Sequence, residues 1–274
     1  MGSTLSTPLM GVVRDGFAIQ VAAWVVAATL QTERFYDAVG TSTFWWLTIK
    51  SFGLRKEKLL RNYVNSGLVL LWSGRLGSFL VQRMLKDGKD SRFDGVRNKP
   101  GKFLFYWLMQ GLWTVVTGLP VYLINSKTSE DPKDSQETTM QDIIGWSMWA
   151  IGFALQVAAD SQKRAFRAKP ENHDKFITSG VWAWSQHPNY FGEMLMWAGI
   201  WVSSSSQMQG VELATILCPL FNFCLLRFVS GVPLLQHHAR KKWGSDSTWQ
   251  QYHKQTPLLV PNPTLEPVQA TKQD

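Results

Sequence analysis

Seven apolar runs, at roughly residues 16–32, 38–53, 63–81, 103–124, 143–159, 190–204 and 211–229, alternate with polar and charged connections. Several fall short of the ~20 residues an isolated spanning helix needs. Most also carry a polar residue, such as Gln20, Lys50, Arg75 or Gln156. Taken alone, such runs fit a soluble all-helical protein with buried helices. Two features argue otherwise. Trp45, Trp46, Trp107, Trp182 and Trp184 lie near the ends of runs, where tryptophan sits at a lipid–water interface. A soluble domain also seldom hides so many apolar runs in 274 residues. The pattern predicts an all-α, polytopic membrane helix bundle of about seven transmembrane helices. It would form a single integral-membrane domain over 1–262, followed by a disordered tail at 263–274.

Composition supports this and narrows the partners. The chain is 45% hydrophobic with 14 tryptophans and a net charge of +8, a balance open to nucleic acid, anionic lipid or an anionic cofactor. No zinc spacing or RNA-binding motif occurs. The basic residues stand in blocks between apolar runs, as membrane flanks do, so nucleic acid is not an expected partner. Cys218 and Cys224 fall within one apolar run and read as reduced packing residues. No cleavable signal peptide is evident, since the first apolar run follows Arg14 without a small-residue cleavage site.

If all seven runs span, basic residues divide unequally between the two faces. One face has eight, from Arg14 through Lys50, Arg55 and Arg61 to Lys133, together with the acidic loop Glu130, Asp131, Asp134 and Glu137. The other has eighteen: Arg34, the block Arg83–Lys102, the block Lys163–Lys175 and the C-terminal tail. The positive-inside bias places that second face, with the C-terminus, in the cytosol. Three segments then share it: Gly88–Asp94, Asp160–His187 and Gln236–Pro261.

Two constellations carry the chemistry. In Asp160-Ser-Gln-Lys163-Arg164-Ala-Phe-Arg167, spacings of four pair Asp160 with Arg164 and Lys163 with Arg167 on adjacent helical faces. This is either a solvated helix end or a phosphate clamp, because guanidinium forks suit phosphate. Next comes Gly180-Val-Trp182-Ala-Trp184, then His187-Pro188-Asn189-Tyr190-Phe191-Gly192-Glu193. Pro188 opens a helix, so Asn189 and Glu193 project from one face near its start. A carboxylate entering an apolar helix is a functional hypothesis; otherwise Asn189 is a cap and His187 a satisfied surface side chain. Arg75, within an apolar run, is expected to face the bundle or snorkel. There is no Gly-x-Gly-x-x-Gly and no P-loop. His237-His238 lacks partners at metal-ligand spacing, so no metal is expected.

The set Asp160-x-x-Lys163-x-x-x-Arg167 and His187-Pro188-Asn189-Tyr190-x-Gly192-Glu193 resembles the C-terminal region of the steroid 5-alpha-reductase-like family, closest to its bacterial, plant and algal branch. Leu71–Gly77, Gly88–Asp94, Gly231-Val-Pro-Leu-Leu235 and Lys242-Trp243-Gly244 through Tyr252 to Pro261 extend the likeness over most of the chain. Sterol C14 and C7 reductases share the motifs more distantly, and isoprenylcysteine carboxyl methyltransferases share a reduced version. The resemblance implies a seven-helix fold, NADPH held between helices and cytosolic loops, and reduction of a carbon–carbon double bond in a steroid-like lipid. It implies cofactor contacts at Asp160, Lys163, Arg167, Asn189, Tyr190 and Glu193, with Trp182 and Tyr252 less closely matched. It also raises Asp90–Asp94 from an ordinary loop to a cofactor lid. Two positions depart from the family: Gln186 stands where Arg is usual, and Gln236 where Glu is frequent. The glutamate and tyrosine with which steroid-reducing members polarise a 3-oxo group have no aligned counterpart among Glu33, Tyr36, Tyr63 and Tyr106.

The reading is therefore a membrane NADPH-dependent oxidoreductase acting on a lipid enone or sterol-like alkene. Arg164 and His187 join the cofactor-binding set, and Glu193 is the candidate catalytic residue, as proton relay or as orienting acceptor. An S-adenosylmethionine-dependent methyltransferase and a non-catalytic lipid-binding protein are the alternatives. Lys163 and Arg167 speak against the methyltransferase, whose cofactor carries no phosphate. The membrane would be the endoplasmic reticulum in a eukaryote, or a plastid envelope, and the inner membrane in a bacterium. The orientation is tested by substituting cysteine for Gln269. Only reagents that reach the cytosol should label it, and labelling from outside intact cells would reverse the assignment.

Overall fold

The computed structural model describes residues 7–127 and 137–268, and among these every regular element is helical, with no β-strand. The helices are α1 (Thr7–Thr29), α2 (Tyr36–Leu54), α3 (Leu60–Asp87), α4 (Pro100–Asn125), α5 (Met140–Ala168), α6 (Val181–Trp184), α7 (Pro188–Ser205), α8 (Leu217–Cys224), α9 (Val232–Trp243) and α10 (Ser247–Gln255). Each predicted apolar run falls on helix. Among the described residues, five segments are long and apolar enough to cross a membrane: α1, α3, α4, α5 and the composite stretch Gly210–Trp243. The chain is thus an all-α, polytopic membrane protein.

The predicted count was about seven. The other two runs form α2 and α7, of 19 and 18 residues, near the lower limit for a span. Polar side chains dilute both: Asp37, Thr41, Thr43, Thr48 and Lys50 on α2, and Asn189, Glu193 and Ser203–Ser205 on α7. Most of the acidic loop, Glu130, Asp131 and Asp134, lies outside the described residues, as does the tail beyond 268. Nearer the core, Val268 still accepts a hydrogen bond from the Thr178 hydroxyl.

The chain divides into two compact units, one running to Ile144 with Ile200–Cys218, the other comprising Gly145–Gly199 and Pro219 onward. In the first, α1, α2 and α4 enclose Leu9, Val12, Leu47, Val115 and Ile124. Gln20, the polar interruption of the first run, has its amide on Thr43 Oγ1 at 2.9 Å, and its oxygen accepts from Gln110 Nε2 at 2.9 Å. Lys50 pairs with Asp15. Gln20 and Lys50, the polar interruptions of these two runs, are therefore partnered, as a water-poor interior demands.

At one end of the unit this becomes a network. Arg61 meets Asp142 at 2.9 Å with side chains 3% and 0% exposed. Asp142 also accepts from Thr139 N and Oγ1, each at 2.8 Å, and from Ser203 Oγ at 2.9 Å. Asn65 bonds Ser203 and Ser204, while Asn62 bonds Asn125, whose amide reaches Ser66 and Ser51.

The segment after α3 is strapped down. Gly88, at φ 72°, closes α3 with its N–H on Met84 O, a left-handed cap that glycine adopts freely. Phe93, 1% exposed, then enters an aromatic nest with Tyr36, Phe103 and Tyr106 at ring distances of 4.8, 5.7 and 5.3 Å. Ionic contacts flank it: Arg97 to Glu33 at 2.6 Å, Arg83 and Arg92 to Asp37 at 2.7 and 3.1 Å. Burial opposes ionisation of Asp90, but hydrogen bonds from the Arg92 side chain and backbone overcome it and hold the carboxyl below its usual range.

Removing one partner of a buried ion pair leaves the other uncompensated, at a cost of about 3–5 kcal/mol. Asp142→Ala is expected to lose about that much stability in detergent by chemical denaturation. A loss below ~1 kcal/mol would show that the pair is not the support described.

Candidate functional site

The second unit is organised by two helices in unusually close contact. A Cβ placed on Gly192 would lie 2.5 Å from Gly152 O, and one on Gly199 would lie 2.4 Å from Gly145 O. Small residues let helix backbones approach in this way within membranes. The glycine of the motif is therefore a packing requirement between α5 and α7. Once the backbones meet, facing polar side chains come within reach. Gln156 Nε2 donates to Glu193 Oε2 at 2.7 Å, and Trp197 Nε1 donates to Glu193 Oε1 at 2.9 Å. Gln156, a polar interruption in the sequence, is here the partner of Glu193.

One turn along each helix, Asn189 Nδ2 points to Asp160 Oδ1 at 3.5 Å, and Asn189 Oδ1 is buried with no partner among the described residues. Tyr190 stacks on His187 with ring centroids 5.6 Å apart and planes at 18°. Pro188, without an N–H, opens α7 where that donor would be unsatisfied anyway.

Beside these residues lies a cavity of about 220 Å³. Its wall includes Lys163 and Arg167 from the last turns of α5, Trp182, His187, Gln236 and Tyr252. Phe176, Trp243 and Trp249 add aromatic surface, and Lys175 and Lys242 add charge. The pieces are held firmly. Trp182 Nε1 donates to Ala159 O at 3.0 Å, and Lys163 Nζ stands 4.7 Å from the Trp182 ring centroid, a cation–π contact. Asp246 caps α10 by accepting from Thr248 N and Trp249 N. On that helix Tyr252 donates its hydroxyl to Trp182 O at 2.7 Å, and burial pushes its phenol pKa up. Asp174 joins α9 through Lys242 Nζ at 3.0 Å and Trp243 Nε1 at 2.6 Å.

Of the residues predicted from sequence, Lys163, Arg167, Trp182, His187 and Tyr252 therefore share one cavity wall. Asp160, Asn189 and Glu193 line the α5–α7 contact, and Tyr190 stacks on His187, in the same unit without being wall residues. Arg164 is exposed on α5, outside the wall. Sequence reasoning did not assign Gln186 or Gln236 to the site, nor the rings of Phe176, Trp243 and Trp249. Only the departures at Gln186 and Gln236 hinted at the first two. Arg75 is half-buried on α3.

Glu33 and Tyr36 are committed elsewhere. Glu33, 2% exposed, takes Arg97 and the Asp90 N–H, and Tyr36 donates its hydroxyl to Tyr106 O at 2.8 Å. The Asp90–Asp94 segment, read from resemblance as a lid, is tied to α2 of its own unit through Arg92 and Asp37.

Fold and site together define an all-α membrane protein with a cationic, aromatic-walled cavity in its second unit. By sequence the chain belongs to the family described as protein of unknown function DUF1295, whose model matches residues 23–256. It is similar to 3-oxo-5-alpha-steroid 4-dehydrogenase 1 of Mus musculus, 29% identical over 119 residues, covering 43% of this chain and 41% of that protein. The Bos taurus protein of the same name gives 29% over 119 residues, at 43% and 41% coverage. The Homo sapiens protein gives 27% over 128 residues, at 47% and 44%. The chain thus spans less than half the length of these curated relatives. No solved structure matches it.

The α5–α7 contact makes a direct prediction. Gly192→Ala forces the backbones apart and is expected to destabilise by about 1–3 kcal/mol, the usual range for overpacking. Thermal unfolding in detergent measures it, and an unchanged midpoint would refute the contact.

Proposed function

We propose that the protein is a membrane-embedded, NADPH-dependent reductase of a carbon–carbon double bond in a steroid-like or other lipid enone. The observation that carries this reading is the convergence of Lys163, Arg167, Trp182, His187 and Tyr252 on one cavity. Cations suit phosphate, and flat aromatic walls suit a base or nicotinamide ring. At about 220 Å³, the cavity is below the ~300–1,000 Å³ typical of drug-sized ligands, and so suits one end of a dinucleotide better than the whole. The similarity to 3-oxo-5-alpha-steroid 4-dehydrogenases points the same way.

The residues present fit the cofactor. Asn189 Oδ1, buried and unpartnered among the described residues, is an acceptor waiting for a donor such as a carboxamide N–H. When bound, NADPH supplies hydride to the electron-poor carbon of the alkene. Arg167 and Lys163 neutralise phosphate charge, and Trp182 and Tyr252 offer stacking surface. Glu193, receiving N–H donors from Gln156 and Trp197, is arranged as a hydrogen-bond acceptor. That geometry favours orienting a ligand N–H over delivering a proton. On this reading the cavity opens to the cytosol, in line with the charge asymmetry of the loops, and the substrate enters from lipid.

The test is direct titration of purified protein with NADPH and, separately, S-adenosylmethionine. NADPH alone is expected to bind. Arg167→Ala should weaken that binding by about 1.5–3 kcal/mol, the range for a hydrogen bond to a charged group. Binding of S-adenosylmethionine but not NADPH would replace the proposal with a methyltransferase. Binding of neither would leave a lipid-binding protein.

A further inference from the structure

The amide of Gln186 can be oriented without ambiguity. One end of its side chain lies 3.0 Å from His253 O and 2.6 Å from Thr256 O. Carbonyl oxygens only accept, so this end is Nε2 and the other is Oε1. Oε1 is in turn approached by one end of Gln236 at 2.7 Å and by His253 Nδ1 at 2.9 Å. Facing an oxygen, Gln236 must present its NH2 group. That NH2 also lies 3.2 Å from His187 Nε2. A donor at this distance requires a lone pair on Nε2, so the His187 proton belongs on Nδ1. The remaining Gln236 oxygen is buried with no partner among the described residues. Reversing the amide would satisfy nothing better, because it would set two oxygens 2.7 Å apart.

The surroundings of His187 agree. It is 6% exposed. The charged or titratable groups around it are Lys163 of α5, His253 of α10, Arg227 between α8 and α9, and Tyr190 of α7; Gln236 of α9 is neutral. Burial, then Lys163, His253 and Arg227, push the imidazole pKa down to about 4. No carboxylate stands among these neighbours to favour the cation.

We propose that Gln186 is a positioning residue that acts through Gln236 to present His187 as a neutral imidazole protonated on Nδ1. His187 then offers the cavity hydrogen bonding without charge, and anion recognition falls to Lys163 and Arg167. The assignment of the imidazole rests on geometry alone, and its consequence for binding rests on the NADPH reading above.

The test uses the full chain in detergent, with 15N-labelled histidine and a His187→Gln variant to identify the signal. In the wild type, His187 should show a protonated Nδ1 and a bare Nε2, and should titrate below pH 5. Gln236→Glu replaces the donor with an acceptor. The proton should move to Nε2 and the titration should rise by about 1–3 pH units, as beside a carboxylate. Gln236→Met removes the donor without adding charge, and the signal should become a mixture of tautomers. Gln186→Met should produce the same mixture although the Gln186 side chain hydrogen-bonds Gln236 and it is Gln236 that meets the His187 ring, an effect that a merely structural role would not cause. Should Gln186→Met fail to fold, the two Gln236 variants decide. A wild-type His187 protonated on Nε2, or a signal indifferent to both Gln236 substitutions, overturns the proposal.

NADPH binding gives the second arm. In Gln236→Glu the added carboxylate repels the cofactor at pH 8 and is neutralised by the protonated imidazole at lower pH. The ratio of variant to wild-type Kd should therefore fall from about tenfold towards one between pH 8 and 5.5, a tenfold step corresponding to one pKa unit of interaction. A pH-independent ratio contradicts the proposed consequence. If NADPH does not bind the wild type at all, the cofactor reading fails, and the imidazole measurement still judges the amide relay.

Discussion

The close approach of α5 and α7 at Gly152 and Gly192 is the constraint on which the second unit turns. With no Cβ on either residue, the helices meet backbone to backbone, Gly192 against Gly152 O and Gly152 against Gly192 O. Gln156 reaches Glu193 for that reason, and Asp160 stands across from Asn189 one turn away. A wider crossing would take the Gln156 donor away from Glu193 and leave Trp197 of its own helix to hold the carboxylate, which is costly in a water-poor setting. The same two helices carry Lys163, Arg167 and the lead-in to α7 that holds His187, so the contact also fixes the spacing of the cavity wall.

Electrostatics then shapes the cavity. Its cations come from α5, from the segment before α6 and from α9, and it includes no carboxylate among its wall residues. Gln186 and Gln236 make a neutral hydrogen-bonded pair at the two positions where the resemblance to the steroid 5-alpha-reductase-like family led to the expectation of an Arg and a Glu. Exchanging both members together leaves the local net charge unaltered, so the loss of one cation at position 186 does not by itself weaken the case for an anionic ligand. What changes is the environment of His187, which sees an amide in place of a carboxylate.

Much of this was legible in the sequence. Apolar runs located the helices, and Asp160, Lys163, Arg167, His187, Asn189 and Glu193 announced themselves as polar types clustered where a span meets its flank. Residues whose roles depend on tertiary contact did not. Gln156 and Gln20 read only as polar interruptions until their partners, Glu193 and Gln110, came into view from other helices. Gly192 read as a motif letter, although its job is set by Gly152, forty residues earlier. Five segments among the described residues have the length and apolarity of a span, while the other two runs, α2 and α7, carry polar residues whose partners lie on other helices, Lys50 with Asp15 and Glu193 with Gln156. The Asp90–Asp94 loop is a further case, since its Arg92 pairs with Asp37 and Asp90 and its Phe93 is buried among aromatic rings, contacts that composition did not announce.

The central claim is that the second unit's cavity receives the phosphorylated cofactor. Hydrogen–deuterium exchange of the detergent-purified protein, with and without saturating NADPH, tests it most directly, because it reports where the ligand acts without requiring a known substrate. The account predicts slowed exchange at the last turns of α5, across residues 175–189 and along α9 and α10, with α1 and α4 unaffected. Protection confined to α1–α4, or none anywhere despite measured binding, would contradict it.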